Sequence, residues 1–453
     1  MLNVAPARAP DPASLDQNVA DELVERARDA QNAIDAFDDA RLDKVVRAIV
    51  GAFSKDVEGW AERELAVTRI GNRKDKTHKL GLVLTRVFHS LHGVRTRGRI
   101  GYDQSLIEYA SPIGVIFAVV PLTNPVPNSL FKALLCIKTR NALIASFPQK
   151  ADSVGAQAFD LIRGVLAEEG LPADLVQRCA EPSHSRTKLL MSHSGVALVL
   201  ATGGSQLVGA AYSSGTPTIG VGPGNVPVLV ASSADVGRAA RDIVKGKAYD
   251  NGIVCGSESN IVVDERVRAP FLEALTAAGA VVVEGDARSP VIEALFDPET
   301  RRLRRELLGV DGDALAAAAG LEATRRVACL VLAVERGEYP FIAQEKMAPL
   351  LTLFTAEQGR GVDDAAALLW SEGAGHTAVI HSSDPVEIDA FATAMPAGRI
   401  LVNTSATHGM LGETSDLPVS FMQGSGSWGG NGTTDPITWR HLVNIKRLAF
   451  GRG

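Results

Sequence analysis

Residues 196–215 read VALVLATGGSQLVGAAYSSG, and the fold follows from the change of character inside them. The first seven residues form a continuous apolar run rather than an alternating one. A strand of that kind is buried on both faces, as in a parallel sheet covered by helices. Gly203, Gly204 and Ser205 then interrupt the run, and a helical segment follows. Glycines between a buried strand and a helix let the backbone approach a pyrophosphate and present helix N-terminal amides to it. The spacing is not GxGxxG and no Lys-Ser/Thr follows, so this is neither the usual dinucleotide fingerprint nor a P-loop. A simple tight turn is the plain alternative.

The same strand signature recurs in IGVIFAVV (113–120), NALIASF (141–147) and VPVLVAS (226–232), each followed by a turn signal and a helical segment. That rhythm predicts an α/β, doubly wound region. A second α/β stretch runs from about 233 to 420, with NIVV, ACLVLAV, TAVIHS and GRILVNT as strands. Ahead of these, residues 16–50 carry apolar positions at helical spacing and predict two helices, the first starting near Asp16, with more helix to about 94. Residues 96–112 alternate in character and end in Ser-Pro, as in an exposed strand pair. The tail DPITWRHLVNIKRLAFG (435–451) ends in a strand-like run.

Composition narrows the function. The 453 residues are 46% apolar and 22% charged, with a formal charge of -6, which argues against a nucleic-acid surface. The basic run RRLRR (301–305) is expected to be a solvated helix face, with a phosphate contact as the alternative. The longest apolar runs are about half of the roughly 20 residues that span a bilayer, so no membrane partner is expected. The start, MLNVAPARAPDPAS, is no secretory signal and reads as a tail before the first helix. Four cysteines without a CxxC make neither a disulfide framework nor a zinc site. A cytoplasmic location is the default.

Cys136, Cys179 and Cys329 sit in or beside apolar runs and are expected to be inert and buried. Cys255, in YDNGIVCGSESN (249–260), lies on a small, polar, glycine-flanked segment where a thiol can be reached. No nearby His offers a base, so backbone dipoles or a cofactor's positive charge would have to favour its thiolate. In VPLTNPVPNSLFKALLCIKTRNALIAS (120–146), Thr123 and Asn124 fall at the C-terminal edge of a strand, where α/β sheets bind ligands. Asn124 can donate its amide to an oxyanion, or simply form an Asn-Pro turn. Glu345 in FIAQEKMAPLL and His376 in EGAGHTAVIHS complete the candidates; a solvated loop acid and a hydrogen-bonded structural His are their plain alternatives.

In order and spacing these segments, with VGPGN (221–225) and GSGSWGGN…HLVNIKR near the end, resemble the aldehyde dehydrogenase superfamily. The similarity is greatest to its coenzyme-A-acylating branch, which includes the aldehyde half of bifunctional aldehyde-alcohol dehydrogenases. The resemblance implies a Rossmann-type cofactor domain (1–97 and 113–225), a catalytic domain (226–429) and a small β element (98–112 and 430–453) that pairs subunits into a homodimer or homotetramer. It implies Cys255 as nucleophile and Asn124 as oxyanion donor. Thr123, Ser146, Gly203, Gly204, Ser205 and Glu345 would contact NAD or NADP, with a small aldehyde and coenzyme A as substrates. Hydrolytic members carry a glutamate that activates water; here Val221 stands at that position, so acyl-CoA is the expected product and a free acid the alternative. The segment SFPQKADS (146–153) would meet the adenosine ribose, and its Lys150 leaves NAD versus NADP open. The loop 404–423 would bound the aldehyde, with His408 and Glu413 as its visible anchors. The Pro-rich residues 1–15 do not resemble the amphipathic targeting helix of microcompartment relatives.

Overall fold

The computed structural model describes residues 12–103, 106–335 and 337–451. Residues 1–11, the greater part of the expected N-terminal tail, lie outside the described residues. The first helix begins at Pro12 rather than near Asp16, because proline is well suited to a helix's first turn. Helices Asp39–Ser54, Val57–Thr68 and Arg73–Leu82 follow.

Among the described residues, fifteen strands form three sheets. Strands β1 (Gly98–Asp103) and β2 (Leu106–Pro112) pair antiparallel, and the last strand of the chain, β15 (Val443–Ala449), joins β2 from the other side. Between them in sequence lie β3 (Val115–Val119), β4 (Ala142–Ser146), β5 (Val176–Arg178), β6 (Val196–Thr202) and β7 (Thr218–Val221). These make a parallel sheet in the order β5-β4-β3-β6-β7. The remaining strands are β8 (Val226–Val230), β9 (Glu258–Asp264), β10 (Ala280–Val283), β11 (Cys329–Val334), β12 (Leu350–Ala356), β13 (Gly375–His381) and β14 (Ala397–Val402). They form a seven-stranded parallel sheet in the order β10-β11-β12-β9-β8-β13-β14.

Every residue of β3, β4, β8 and β11 is buried, as continuous apolar runs require; β9 is buried throughout as well, although Glu258, Ser259, Asn260 and Asp264 are among its residues. The run VPVLVAS, which shares the signature of the first sheet's strands, belongs to the second sheet as β8, between β9 and β13. The chain therefore passes from one sheet to the other through residues 222–225. In the five-stranded sheet, β4 and β6 flank β3 on opposite sides, so the crevice beyond their C-terminal ends is the switch point where such sheets bind ligands.

RRLRR is not a helix face. Leu303 forms an isolated bridge with Phe296, and a single 3-10 turn starts at Arg305. Arg302 pairs with Glu372 at 3.1 Å, Arg304 donates to two backbone carbonyls, and Arg301 stacks over Phe341.

Candidate active site

A cavity of about 940 Å³ lies at that switch point and reaches the second sheet. Its wall holds seven of the eight candidate residues: Thr123, Asn124, Ser146, Gly203, Gly204, Cys255 and Glu345. Ser205 is not on the wall; it is the exposed first residue of the helix Ser205–Tyr212, next to Gly204. Val221 is buried and faces the same cavity.

The turn leading to Cys255 is backbone-strained. Asp250, Asn251 and Gly252 take φ of 44°, 55° and 71° in succession, a conformation that costs L-residues energy unless the surroundings over-determine it. Here they do. Asn251 Nδ2 donates to the carbonyls of Gly71 (3.0 Å) and Gly309 (2.9 Å), and its Oδ1 accepts from Asn72 Nδ2 at 3.2 Å. Asp250 Oδ1 accepts from the Asn72 amide at 2.7 Å, and its own amide donates to Asp75 Oδ2 at 2.7 Å. Only glycine fits at 252, since a Cβ there would lie 2.4 Å from the Ala348 carbonyl oxygen.

A buried charge network joins this turn to Asn124. Lys76 lies 2.8 Å from Glu64 and 3.8 Å from Asp250, and Lys79 pairs with Asp250; all four side chains are at most 2% exposed. Glu64 Oε2 accepts from the Val126 amide at 3.0 Å, and Lys76 donates to the Thr123 carbonyl at 3.2 Å. A carboxylate thus sits at the N-terminus of the helix Pro125–Lys138, where the helix dipole favours it. Asn124 occupies the N-cap but makes no side-chain capping bond, which leaves its amide available to a ligand.

Cys255 is partly buried, the other three cysteines are buried, and all four are free thiols. The protein by itself does not activate its thiol: burial, and secondarily the Glu345 carboxylate, push it up to about 12. Arg399 and the amides of Cys255 and Gly256 act the other way and are outweighed. Glu345 is no solvated acid either. Burial raises its pKa to about 7, and Oε1 accepts from the Gly224 amide at 2.8 Å. Gly224 also touches the cysteine backbone: a Cβ there would fall 1.6 Å from the Cys255 carbonyl oxygen. The segment VGPGN thereby links Glu345, Val221 and Cys255. Glu345 is the one carboxylate on the cavity wall among the described residues.

The sequence model of the aldehyde dehydrogenase family matches residues 11–415. The chain belongs to the aldehyde dehydrogenase family. It is 35% identical to an acylating sulfoacetaldehyde dehydrogenase of Cupriavidus necator, over 94% of this chain and 88% of that one. It is 33% identical to the bifunctional aldehyde-alcohol dehydrogenase of Escherichia coli over 94% of this chain, and spans about half of that relative's length (49%). The crystal structure of an acetylating aldehyde dehydrogenase from Geobacillus thermoglucosidasius superposes with a TM-score of 0.91 at 32% identity, covering 98% of each chain. The fold is thus that of an aldehyde dehydrogenase.

One feature of this aldehyde dehydrogenase's site, Lys132, escapes the sequence, and the structure sharpens two others, His376 and Arg305. Lys132 is fully buried without a carboxylate partner; it donates to the Val119 carbonyl (2.9 Å) and Thr202 Oγ1 (3.1 Å), tying the ends of β3 and β6 together under the cavity. Burial lowers its pKa to about 7. A lone lysine inside the apolar run FKALLCIK is the only signal for it. His376 is buried and bonded through Nδ1 to Thr377 Oγ1 at 3.0 Å, yet it also packs beside the cysteine. A Cβ on Gly256 would lie 3.4 Å from His376 Cε1, and Nε2 has no partner. Burial, then Arg399, lowers its pKa to about 3, so it is neutral. Arg305, the last residue of RRLRR, is exposed and stands on the cavity wall.

The loop 404–423 contributes through other residues than its two visible anchors. His408 packs edge-on against Tyr249 at 5.0 Å and bonds Ser405 Oγ, while Glu413 pairs with His78 at 3.0 Å. Both fasten the loop and neither reaches the cavity, whose wall takes Met410, Leu411, Ser420, Phe421 and Gln423 instead.

Proposed function

We propose that the protein is a coenzyme-A-acylating aldehyde dehydrogenase, converting a small aldehyde, CoA and NAD(P)+ into acyl-CoA and NAD(P)H, reversibly. The observation that carries this is the cavity's carboxylate content: among the described residues its one carboxylate, Glu345, accepts from the Gly224 amide, and Val221 lines the wall where a water-activating acid would be expected. Water is then a poor acceptor for a thioester on Cys255, whereas a thiol brings its own nucleophilicity. The acylating relatives support the same product.

In this reading the Cys255 thiolate adds to the aldehyde carbon, and the oxyanion accepts hydrogen bonds from the Asn124 amide and the Cys255 backbone amide. A bound nicotinamide would supply the acceptor for the hydride that the resulting thiohemiacetal must lose. The carbonyl then reforms as a thioester, and attack by the CoA thiolate releases acyl-CoA and returns the Cys255 thiolate. The residues fit the dinucleotide: Gly203 and Gly204 leave room over the end of β6, no atom approaches the Cβ position of Gly204 within 4 Å, and Arg305 offers a guanidinium for a diphosphate. Thr123, Ser146, Ser205 and Glu345 belong to the same cofactor site. Lys150, on the wall beyond β4, is compatible with either NAD or NADP.

The division into cofactor, catalytic and β-element domains is part of this proposal. The three-stranded sheet has open edges at β1 and β15 and exposes Leu106, Tyr109, Leu448 and Phe450. Such an edge is stable only when covered, which supports a homodimer or homotetramer. No helix among the described residues is long and apolar enough to cross a membrane, and the cytoplasm is the proposed location.

The test follows NAD(P)H absorbance with a small aldehyde, with and without CoA. CoA-dependent turnover supports the proposal; turnover at a comparable rate without CoA, yielding free acid, removes it.

A further inference from the structure

Past the glycines that follow β6, the cavity has a second end. It is walled by Ser146, Gln149 and Lys150, at and just beyond the end of β4, and by Ser183, His184 and Thr187 at the start of the helix His184–Ser192. Ser146 Oγ and Thr187 Oγ1 lie 3.4 Å apart, which holds the two segments together. Residues 222–225, which follow β7, touch Cys255 through Gly224. The order β5-β4-β3-β6-β7 puts β4 on the far side of β6 from them. A dinucleotide with its nicotinamide at Cys255 and its diphosphate over Gly203 and Gly204 therefore places its adenosine ribose at this end. In doubly wound sheets that ribose is read by a side chain just beyond a neighbouring strand.

This end carries an unpaired cation and no acid. Lys150 is exposed and has no hydrogen bond or ion pair among the described residues. None of the six wall residues is a carboxylate. Asp152, two residues further on, gives both oxygens to Arg178 at 2.7 and 2.8 Å, and Asp16 pairs with Arg186 of the same helix at 2.8 Å. Glu345 lies with Gly224, at the Cys255 end. A carboxylate beyond β4 would accept from a free ribose 2′-hydroxyl and repel a phosphate in its place; an ammonium with no acid beside it does the reverse. Ser183, Thr187 and Gln149 add neutral donors around it.

Resting on the dinucleotide-dependent function above, we infer that this end binds an adenosine ribose carrying a phosphate. The protein prefers NADP+ to NAD+, and Lys150 is the residue that selects the 2′-phosphate. The ribose 3′-phosphate of CoA offers the same chemistry, so the test separates the two.

The experiment is calorimetric titration of the full chain, without aldehyde, using NADPH, NADH, 2′,5′-ADP, 3′,5′-ADP and 5′-AMP. NADPH should bind at least about tenfold more tightly than NADH, and 2′,5′-ADP more tightly than 5′-AMP by a similar ratio, roughly 1.4 kcal/mol each. Both ratios should shrink as salt is raised, because Lys150 is exposed. Lys150→Ala should bring them close to one, Lys150→Glu should invert the order of the dinucleotides, and Lys150→Arg should keep it. Equal binding of NADPH and NADH, or a preference that Lys150→Glu does not move, would overturn the inference. So would 3′,5′-ADP binding more tightly than 2′,5′-ADP, which would assign the cation to CoA. These outcomes leave the acylating function standing, since no turnover is measured. Failure of both dinucleotides to bind would overturn that function, and this inference with it.

Discussion

Replacing Asp250 by Asn tests whether the buried charge network holds the catalytic turn. The amide keeps the shape of the side chain and an oxygen for the Asn72 amide, but removes the only carboxylate paired with Lys79; Lys76 retains Glu64. Removing one partner of a buried ion pair costs about 3–5 kcal/mol. Lys79 can limit the damage by losing its proton, which for an amine of ordinary pKa costs roughly 4.6 kcal/mol at pH 7 and roughly 1.9 kcal/mol at pH 9. Burial already holds the Lys79 pKa below its ordinary value against the pull of Asp250, and the substitution lowers it further. Between the folded and unfolded pKa the unfolded variant binds the extra proton, so the variant gains stability as pH rises. Thermal unfolding should therefore show Asp250→Asn melting roughly 3–5 °C below the parent at pH 7, with the gap about halved at pH 9. A gap under about 2 °C at pH 7, or one that does not narrow with pH, would refute the reasoning.

Because burial holds the Cys255 thiol near 12, its alkylation by iodoacetamide in the free enzyme should speed up about tenfold per pH unit between pH 7 and 9; a rate that levels off below pH 8 would show a thiolate already formed. Gly224→Ala forces a Cβ onto the Cys255 carbonyl and should lower kcat at least about a hundredfold, measured alongside an unchanged far-UV spectrum; near-parental activity would place the two segments further apart. With a Glu345 pKa of about 7, the carboxylate proposed to accept from a ribose forms as pH rises. The KM for the dinucleotide should fall between pH 6 and 8 and become flat in Glu345→Gln, with acyl-CoA still the product. An unchanged profile would move Glu345 out of the cofactor site.

The parts of the fold that were legible in the sequence are those set by burial on both faces. The interior strands β3, β4, β6, β8, β11 and β13 announce themselves as continuous apolar runs. Three strands that went unread, β5, β7 and β10, are sheet edges of three or four residues, too short for a period; a fourth, β12, is interior and seven residues long, and its apolar run LLTLFTA was passed over. The strand signature alone groups VPVLVAS with the first sheet, because a strand's own residues say nothing about which sheet it joins; the division at 225/226 drawn from the family resemblance puts it with the second, where β8 lies. At the site, Cys255, Asn124 and the glycines at 203 and 204 were visible as anomalies against their surroundings. Glu64, Lys76 and Lys79 were not, since in WAERELAVT and NRKDKTHKL a charge destined for the interior looks like any charge on an amphipathic helix. Cys255 is the one cysteine of the four that is not fully buried, and it lines the cavity, as its glycine-flanked segment suggested; Met410 and Gly224 nevertheless pack close around its loop, and burial raises its pKa.

The central claim is that a thioester on Cys255 waits for a thiol, and intact-mass spectrometry of the acyl-enzyme addresses it most directly. Incubation with an acyl-CoA in the absence of NADH, followed by removal of excess ligand, should add one acyl group. Peptide mapping should place it on Cys255, and Cys255→Ala should take up none. The adduct should persist in buffer and discharge at least about a hundredfold faster when CoA is added. An adduct lost to water as quickly as to CoA, or carried by a residue other than Cys255, would contradict it.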